Sequence, residues 1–211
     1  DKRLYDRLVG GSARTVGEHL RADLAYQQHM VRFTENHDER RAAEAFGPGR
    51  DRAAAVLVAA LPGATLLHEG QLAGHRVKLP VQLRRRPAEP DDAATLAFYR
   101  ALIAEVTHPV YHRGAWRLCE ATPAWDLNAT HRSLIAFTWQ ADEERRLVVV
   151  NFSAASAQGR VRLPDFGLEG RAWTLHDALD GVEYQRGGDE MVNDGLYVDL
   201  RPWGMHILSF R

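Results

Sequence analysis

Near His108 the hydrophobic pattern of the chain changes period, and this constrains its fold more than any bulk property. Before that point, apolar residues recur at helical spacing in three stretches separated by short β-type runs. Residues 15–30, TVGEHLRADLAYQQHM, put Val16, Leu20, Leu24 and Met30 near one face, with Ser12 and Thr15 as candidate N-caps. Residues 31–34 then predict a strand, Arg50–Ala60 an almost wholly apolar helix stopped by Pro62-Gly63, and 64–67 a second strand. Residues 91–105 predict a helix with an acid-rich first turn and a stripe of Leu96, Tyr99, Leu102 and Ile103. Helix, strand, helix, strand, helix is the signature of parallel α/β units.

After the change, SLIAFTWQ, RLVVVNFS, GRVRLP, RAWTLHDAL, GLYVDL and GMHILSFR read as short strands separated by turn residues. Such a series predicts an antiparallel sandwich or barrel with its own core. The expected class is therefore α/β plus all-β, divided into residues 1–108 and 109–211.

Charge and cysteine content exclude several functions. The formal net charge is −1, so no global field draws the chain to nucleic acid or an anionic membrane. The basic run LRRRP at 83–87 reads as a solvated loop. The longest apolar stretch, 53–67, is too short to span a bilayer and is broken by Pro62 and Gly63. Cys119, the single cysteine, excludes an internal disulfide and a cysteine-rich zinc site and leans the compartment toward the cytoplasm. The first residues, DKRLYDRLVGG, show neither an initiating Met nor the apolar segment of a signal peptide, so the chain reads as a piece of something longer.

The polar cluster ENHDE at 35–39 follows the first strand, and HEGQ at 68–71 follows the second. Taken alone, Asn36 or Asp38 is an ordinary helix cap. Their shared position shifts that balance, because barrels of parallel strands carry their chemistry at the C-terminal strand ends. A metal-dependent phosphohydrolase would need further His and Asp ligands, and His29, His68 and His75 have no supporting spacing. No Asp-rich loop argues for calcium.

With Phe33, Asn36, His37 and Asp38 in this order, the sequence resembles the alpha-amylase family of glycoside hydrolases, whose fourth motif is a Phe followed by Asn-His-Asp after the seventh strand of a (β/α)8 barrel. PGATLLHEGQ at 62–71 is similar to the family's eighth-strand segment, and VVVNFS at 148–153 to a central strand of its C-terminal domain. The resemblance implies the last part of a TIM barrel, about two strands with their helices, followed by an antiparallel β-sandwich. It implies a retaining hydrolase of α-glucans such as starch, glycogen or maltooligosaccharides, with Asp38 as the carboxylate that stabilises the transition state. His37 and Asn36, with Glu69 and Gln71 on the neighbouring rim, are the implied substrate-binding residues, and His68 is a further rim candidate. No cofactor and no metal are expected.

A retaining glycosidase also needs a nucleophile and an acid/base, about 5 Å apart. The family holds these on its fourth and fifth strands, upstream of the Asn-His-Asp motif. Asp23, in RADLAYQQH, superficially matches the nucleophile motif but precedes Asp38 by only 15 residues (38 − 23), whereas about three βα units of ~30 residues should intervene. The expectation is a fragment, inactive alone, whose bared strand edges favour self-association or docking on the missing barrel portion. The alternative is a noncatalytic module that stabilises a barrel or binds glucan through exposed aromatics. Trp139 and Trp173 are expected in the core, and Trp116 and Trp125 toward solvent.

Overall fold

Local signals at the start of the chain set three short helices. In the computed structural model, which describes residues 1–83, 85–164 and 166–211, α1 (Lys2–Gly10) is capped by Asp1 and buries Leu4, Tyr5 and Leu8. Arg84 of the basic run lies outside the described residues. The Ser12 N–H donates to Thr15 Oγ1 at 3.0 Å to open α2 (Ala13–Leu20). The single helix expected over 15–30 is two, because Asp23 caps α3 (Leu24–Gln28) by accepting the Ala25 and Tyr26 N–H groups.

His19 is held between α1 and the chain start. Its Nε2 lies 2.9 Å from Asp1 Oδ2 and its Nδ1 3.0 Å from Arg7 Nη1. A neutral ring satisfies both partners, donating at Nε2 and accepting at Nδ1. Burial first, and then the Arg7 guanidinium, lower its pKa to about 4. The unfolded chain protonates this ring near pH ~6.5, so its contribution to stability is complete above that pH and is lost as the pH falls toward 4. The melting temperature is expected to fall over that interval, and His19→Gln should flatten the slope; an unchanged slope in the variant would contradict the assignment.

β1 (Val31–Arg32) and β2 (Ala64–Thr65) pair in parallel, Val31 opposite Ala64 and Arg32 opposite Thr65. Both are shorter than expected. Gly63, at φ +102°, allows the close approach: a Cβ there would stand 2.4 Å from the Met30 carbonyl. Between the strands run α4 (Ala42–Ala45) and α5 (Arg50–Ala60). α5 is buried from Ala53 to Val58, which explains its lack of a polar face. Asp92 caps α6 (Ala93–Val106) through the Thr95 N–H, and α7 (Val110–Arg113) ends the helical half.

All later strands are antiparallel. They are β3 (Ala115–Cys119), β4 (Ala121–Thr122), β5 (Leu134–Ala141), β6 (Glu144–Asn151), β7 (Ala157–Val161), β8 (Ala172–Asp177), β9 (Glu183–Gly187), β10 (Leu196–Leu200) and β11 (Met205–Phe210), with α8 (Gly188–Asn193) before β10. Among the described residues six form one sheet in the order β3-β5-β6-β11-β8-β9, and three form another in the order β10-β7-β4.

The larger sheet is buried on both faces. Phe137, Trp139, Val148, Val150 and Ile207 share one core with the helices, while Leu147, Val149 and Leu208 join Val161, Leu196 and Val198 of the smaller sheet in a second. The β half thus has the core expected of it and also a common one with the α/β half. The Trp139 indole reinforces that junction by donating to the Ala60 carbonyl at 2.7 Å. Trp139 and Trp173 are buried as expected, whereas Trp116 is buried against Phe137 rather than exposed. Among the described residues no helix is long and apolar enough to cross a membrane.

Candidate functional site

The turn after β1 carries the expected polar side chains at its tip. Asn36 Oδ1 accepts the N–H groups of Asp38 (2.8 Å) and Glu39 (3.0 Å), an Asx turn that turns the chain without using the carboxylate of Asp38. His37 and Asp38 are left with side chains 63% and 75% exposed, and His37 Nε2 lies 3.2 Å from Asp38 Oδ2. The ammonium of Lys78 donates to the Asp38 carbonyl from the loop after β2.

Beneath the turn lies a buried ion pair. Glu35, 1% exposed, faces Arg41 Nη1 at 3.0 Å and accepts the Ala42 N–H at 2.6 Å, so one carboxylate closes the loop that holds Asn36, His37 and Asp38. Arg41 also donates to the carbonyls of Glu69 (2.9 Å) and His75 (3.3 Å), and to His68 Nδ1 at 2.8 Å. One guanidinium therefore ties the β1 loop to the β2 loop. Burial pushes the Glu35 carboxyl above its ordinary value, against the Ala42 N–H and Arg41, which hold it down. Gly70 leaves room for this packing: at φ +83°, a Cβ there would stand 2.5 Å from both Arg41 Nη2 and His75 Nδ1.

The other expected residues divide. Glu69 is exposed and paired with Arg86. Gln71, expected on the rim, is buried: its amide donates to Thr34 Oγ1 (3.0 Å) and the Tyr99 hydroxyl (2.9 Å) and accepts the His68 N–H (3.1 Å). Burial pushes the Tyr99 phenol up to about 12, so it stays a neutral partner. Asp23, as a helix cap, stands apart from this turn. Glu35 and Arg41 carry no motif of their own in the sequence. Their only local signal is an acid immediately before Asn-His-Asp and an arginine three residues after it.

Chemically, the tip offers an acceptor and an imidazole donor side by side, suited to adjacent hydroxyl groups, on a base fixed by a buried salt bridge. Among the described residues no cluster of three or more His, Cys, Asp or Glu is placed to hold a metal ion.

No protein-family model matches the sequence, and neither does any curated protein. Solved structures do match. A noncanonic maltogenic alpha-amylase, AmyB, from Thermotoga neapolitana superposes with a TM-score of 0.80 at 18% identity, over 99% of this chain and 48% of that one. An alpha-amylase from Lactobacillus plantarum gives 0.72 at 14% identity, covering 100% and 46%, and an Anoxybacillus alpha-amylase gives 0.71 at 15% identity, covering 99% and 45%. The chain spans about half the length of these enzymes, and its fold is that of the C-terminal portion of alpha-amylase family structures.

Proposed function

We propose that this chain supplies the C-terminal portion of a retaining glycoside hydrolase acting on α-glucans, and that Asp38 stabilises the transition state. In this reading residues 1–108 hold the last two strands of a (β/α)8 barrel, β1 and β2, and 109–211 form the β-sandwich. The observation that carries it is the Asn36-His37-Asp38 turn at the C-terminal end of a parallel strand, held open to solvent by Glu35 and Arg41. The Asp38 carboxylate would bind sugar hydroxyls at the cleavage subsite and oppose the positive charge that develops on the ring. His37 would donate to a neighbouring hydroxyl, with Asn36 fixing the turn and Glu69 reaching the rim. Gln71 would act indirectly, by holding the β2 loop against Thr34. The nucleophile and the acid/base would come from barrel strands outside these 211 residues.

Support for a docked barrel portion comes from the free side of β2. An apolar trough of about 450 Å³ runs beside it, lined by Val58, Ala64, Leu67, Leu102 and Val106. A further parallel strand would fill that trough and satisfy the edge. Support for the ligand class comes from related folds that were solved with sugars or their analogues: an alpha-amylase from Geobacillus thermoleovorans complexed with acarbose, and AmyP in complex with maltose.

Reducing-sugar release from starch and maltooligosaccharides tests the proposal when measured on the full gene product and on the 211-residue chain. The full product is expected to be longer and active, and the chain alone inert. Turnover by the chain alone, or a longer product without activity, would contradict it.

A further inference from the structure

Where the α/β half meets the β half, Arg52, Arg76 and Arg201 line one groove, and among the described residues none of the three guanidinium groups is in an ion pair. The buried arginines Arg41 and Arg146, in contrast, are each held against a carboxylate, Glu35 and Glu105. Arg52 belongs to the first turn of α5, Arg76 to the loop after β2, and Arg201 to the turn that follows β10, so three distant segments supply the charges. The groove encloses about 500 Å³, within the ~300–1,000 Å³ range of small-ligand sites.

Two carboxylates share the groove, Asp51 and Asp92, and both serve helix starts. Asp51 Oδ1 accepts the Arg52 N–H at 2.8 Å in the first turn of α5, and Asp92 Oδ1 accepts the Thr95 N–H at 2.8 Å to cap α6. Each is offset in part by the positive end of its own helix, and three guanidinium groups outnumber the two acids, so the groove is net cationic. Trp203 forms an aromatic wall. Its φ of +55° lies in the left-handed region that side chains rarely adopt. Donation of its N–H to the Ser153 carbonyl at 3.0 Å and edge-on packing against Phe152 at 5.3 Å hold it there. The indole stands close to Gly49 at the start of α5, where an added Cβ would meet Trp203 Cδ1 at 3.4 Å.

An oxyanion complements that lining. Guanidinium groups bind phosphate through paired N–H donors, and a phosphate monoester presents three acceptor oxygens to the three arginines. The groove has room for more than the phosphate, and the indole and the Thr95 hydroxyl offer an apolar face and a polar group to the organic part of an ester. We propose that this groove binds a small phosphate monoester of a polyol, with Arg52, Arg76 and Arg201 around the phosphate and Trp203 against the polyol. Arg201 comes from the β half and the other two arginines from the α/β half, so the ligand would bridge them. The proposal stands on the junction alone and is independent of the catalytic reading.

Isothermal titration of the full gene product at fixed ionic strength tests it, with glucose 6-phosphate as the probe and inorganic phosphate, sulfate and glucose as comparators. Glucose 6-phosphate is expected to bind, inorganic phosphate and sulfate about 10-fold more weakly for want of the contacts to the polyol, and glucose not at all. Arg76→Gln and Arg201→Gln should each weaken glucose 6-phosphate binding roughly 10- to 100-fold, the range for loss of a hydrogen bond to a charged group. Both side chains are exposed, so the fold should survive either change. Trp203→Leu should remove the preference for the ester over inorganic phosphate, and Arg85→Gln, outside the groove, should bind like the wild type. Absence of glucose 6-phosphate binding, equal affinity for sulfate, binding of glucose as tight as that of its phosphate, unchanged affinity in both arginine variants, or an equal loss in Arg85→Gln would each overturn the assignment.

Discussion

Asp38→Asn in the enzyme proposed above is expected to lower kcat on maltooligosaccharides by on the order of 10³-fold, as loss of a preorganised electrostatic contact at the reacting centre does. The melting temperature should be unchanged. The side chain is 75% exposed, and the turn that presents it is held by Asn36 through the backbone N–H of Asp38 rather than through the carboxylate. Asn preserves shape and part of the hydrogen bonding but removes the charge that would oppose a developing oxocarbenium ion. A fall in kcat with little change in KM would mark an interaction made mainly in the transition state. Asp38→Asn turning over at more than a tenth of the wild-type rate would remove Asp38 from the chemistry.

Glu35→Ala is expected to be the most damaging single change for stability near the site. It leaves Arg41 as a buried guanidinium without its counter-ion and the Ala42 N–H without an acceptor. Breaking a buried pair from one side costs roughly 3–5 kcal/mol, which lowers Tm by about 10 °C in a chain of this length. Glu35→Gln keeps an acceptor for Ala42 but loses the charge, and should fall between. The double change Glu35→Leu with Arg41→Met should recover much of the loss, because it removes both charges from the interior. Urea unfolding of the four proteins checks the series; a Glu35→Ala cost below about 1 kcal/mol would mean that the pair is not the clamp described here.

How far the sequence discloses the fold depends on burial. α5 runs over the expected residues, Arg50–Ala60, because Pro62 and Gly63 stop it and every position from Ala53 to Ala60 is apolar. β5 and β6 are legible as strands because both of their faces are buried. The strands missed, β3, β4 and β9, all lie at sheet edges, where polar residues on the outer face dilute the apolar alternation. β9, EYQRG, has no fully buried residue. The break between α2 and α3 was masked by an apolar spacing that continues through Asp23, and only the cap geometry reveals it.

The same division holds at the site. Asn36, His37 and Asp38 are legible because an Asx turn is a local event, closed within three residues. The platform beneath them is not, because Arg41 reaches His68 across 27 residues and Glu35 reaches it across 33. Gln71 shows the limit from the other side: a polar residue after a strand reads as a rim ligand, yet here Thr34 and Tyr99, distant in sequence, engage its amide in the interior.

The central claim is that the Asp38 turn meets a glucose ring at the point of cleavage. A crystal structure of the full gene product with a bound, non-hydrolysable maltooligosaccharide analogue tests it most directly. The account predicts hydrogen bonds from sugar hydroxyls to the Asp38 carboxylate and from the His37 imidazole to a neighbouring hydroxyl, with the Glu35–Arg41 pair intact below. A sugar ring bound at a pair of carboxylates elsewhere, with Asp38 and His37 facing solvent, would contradict it.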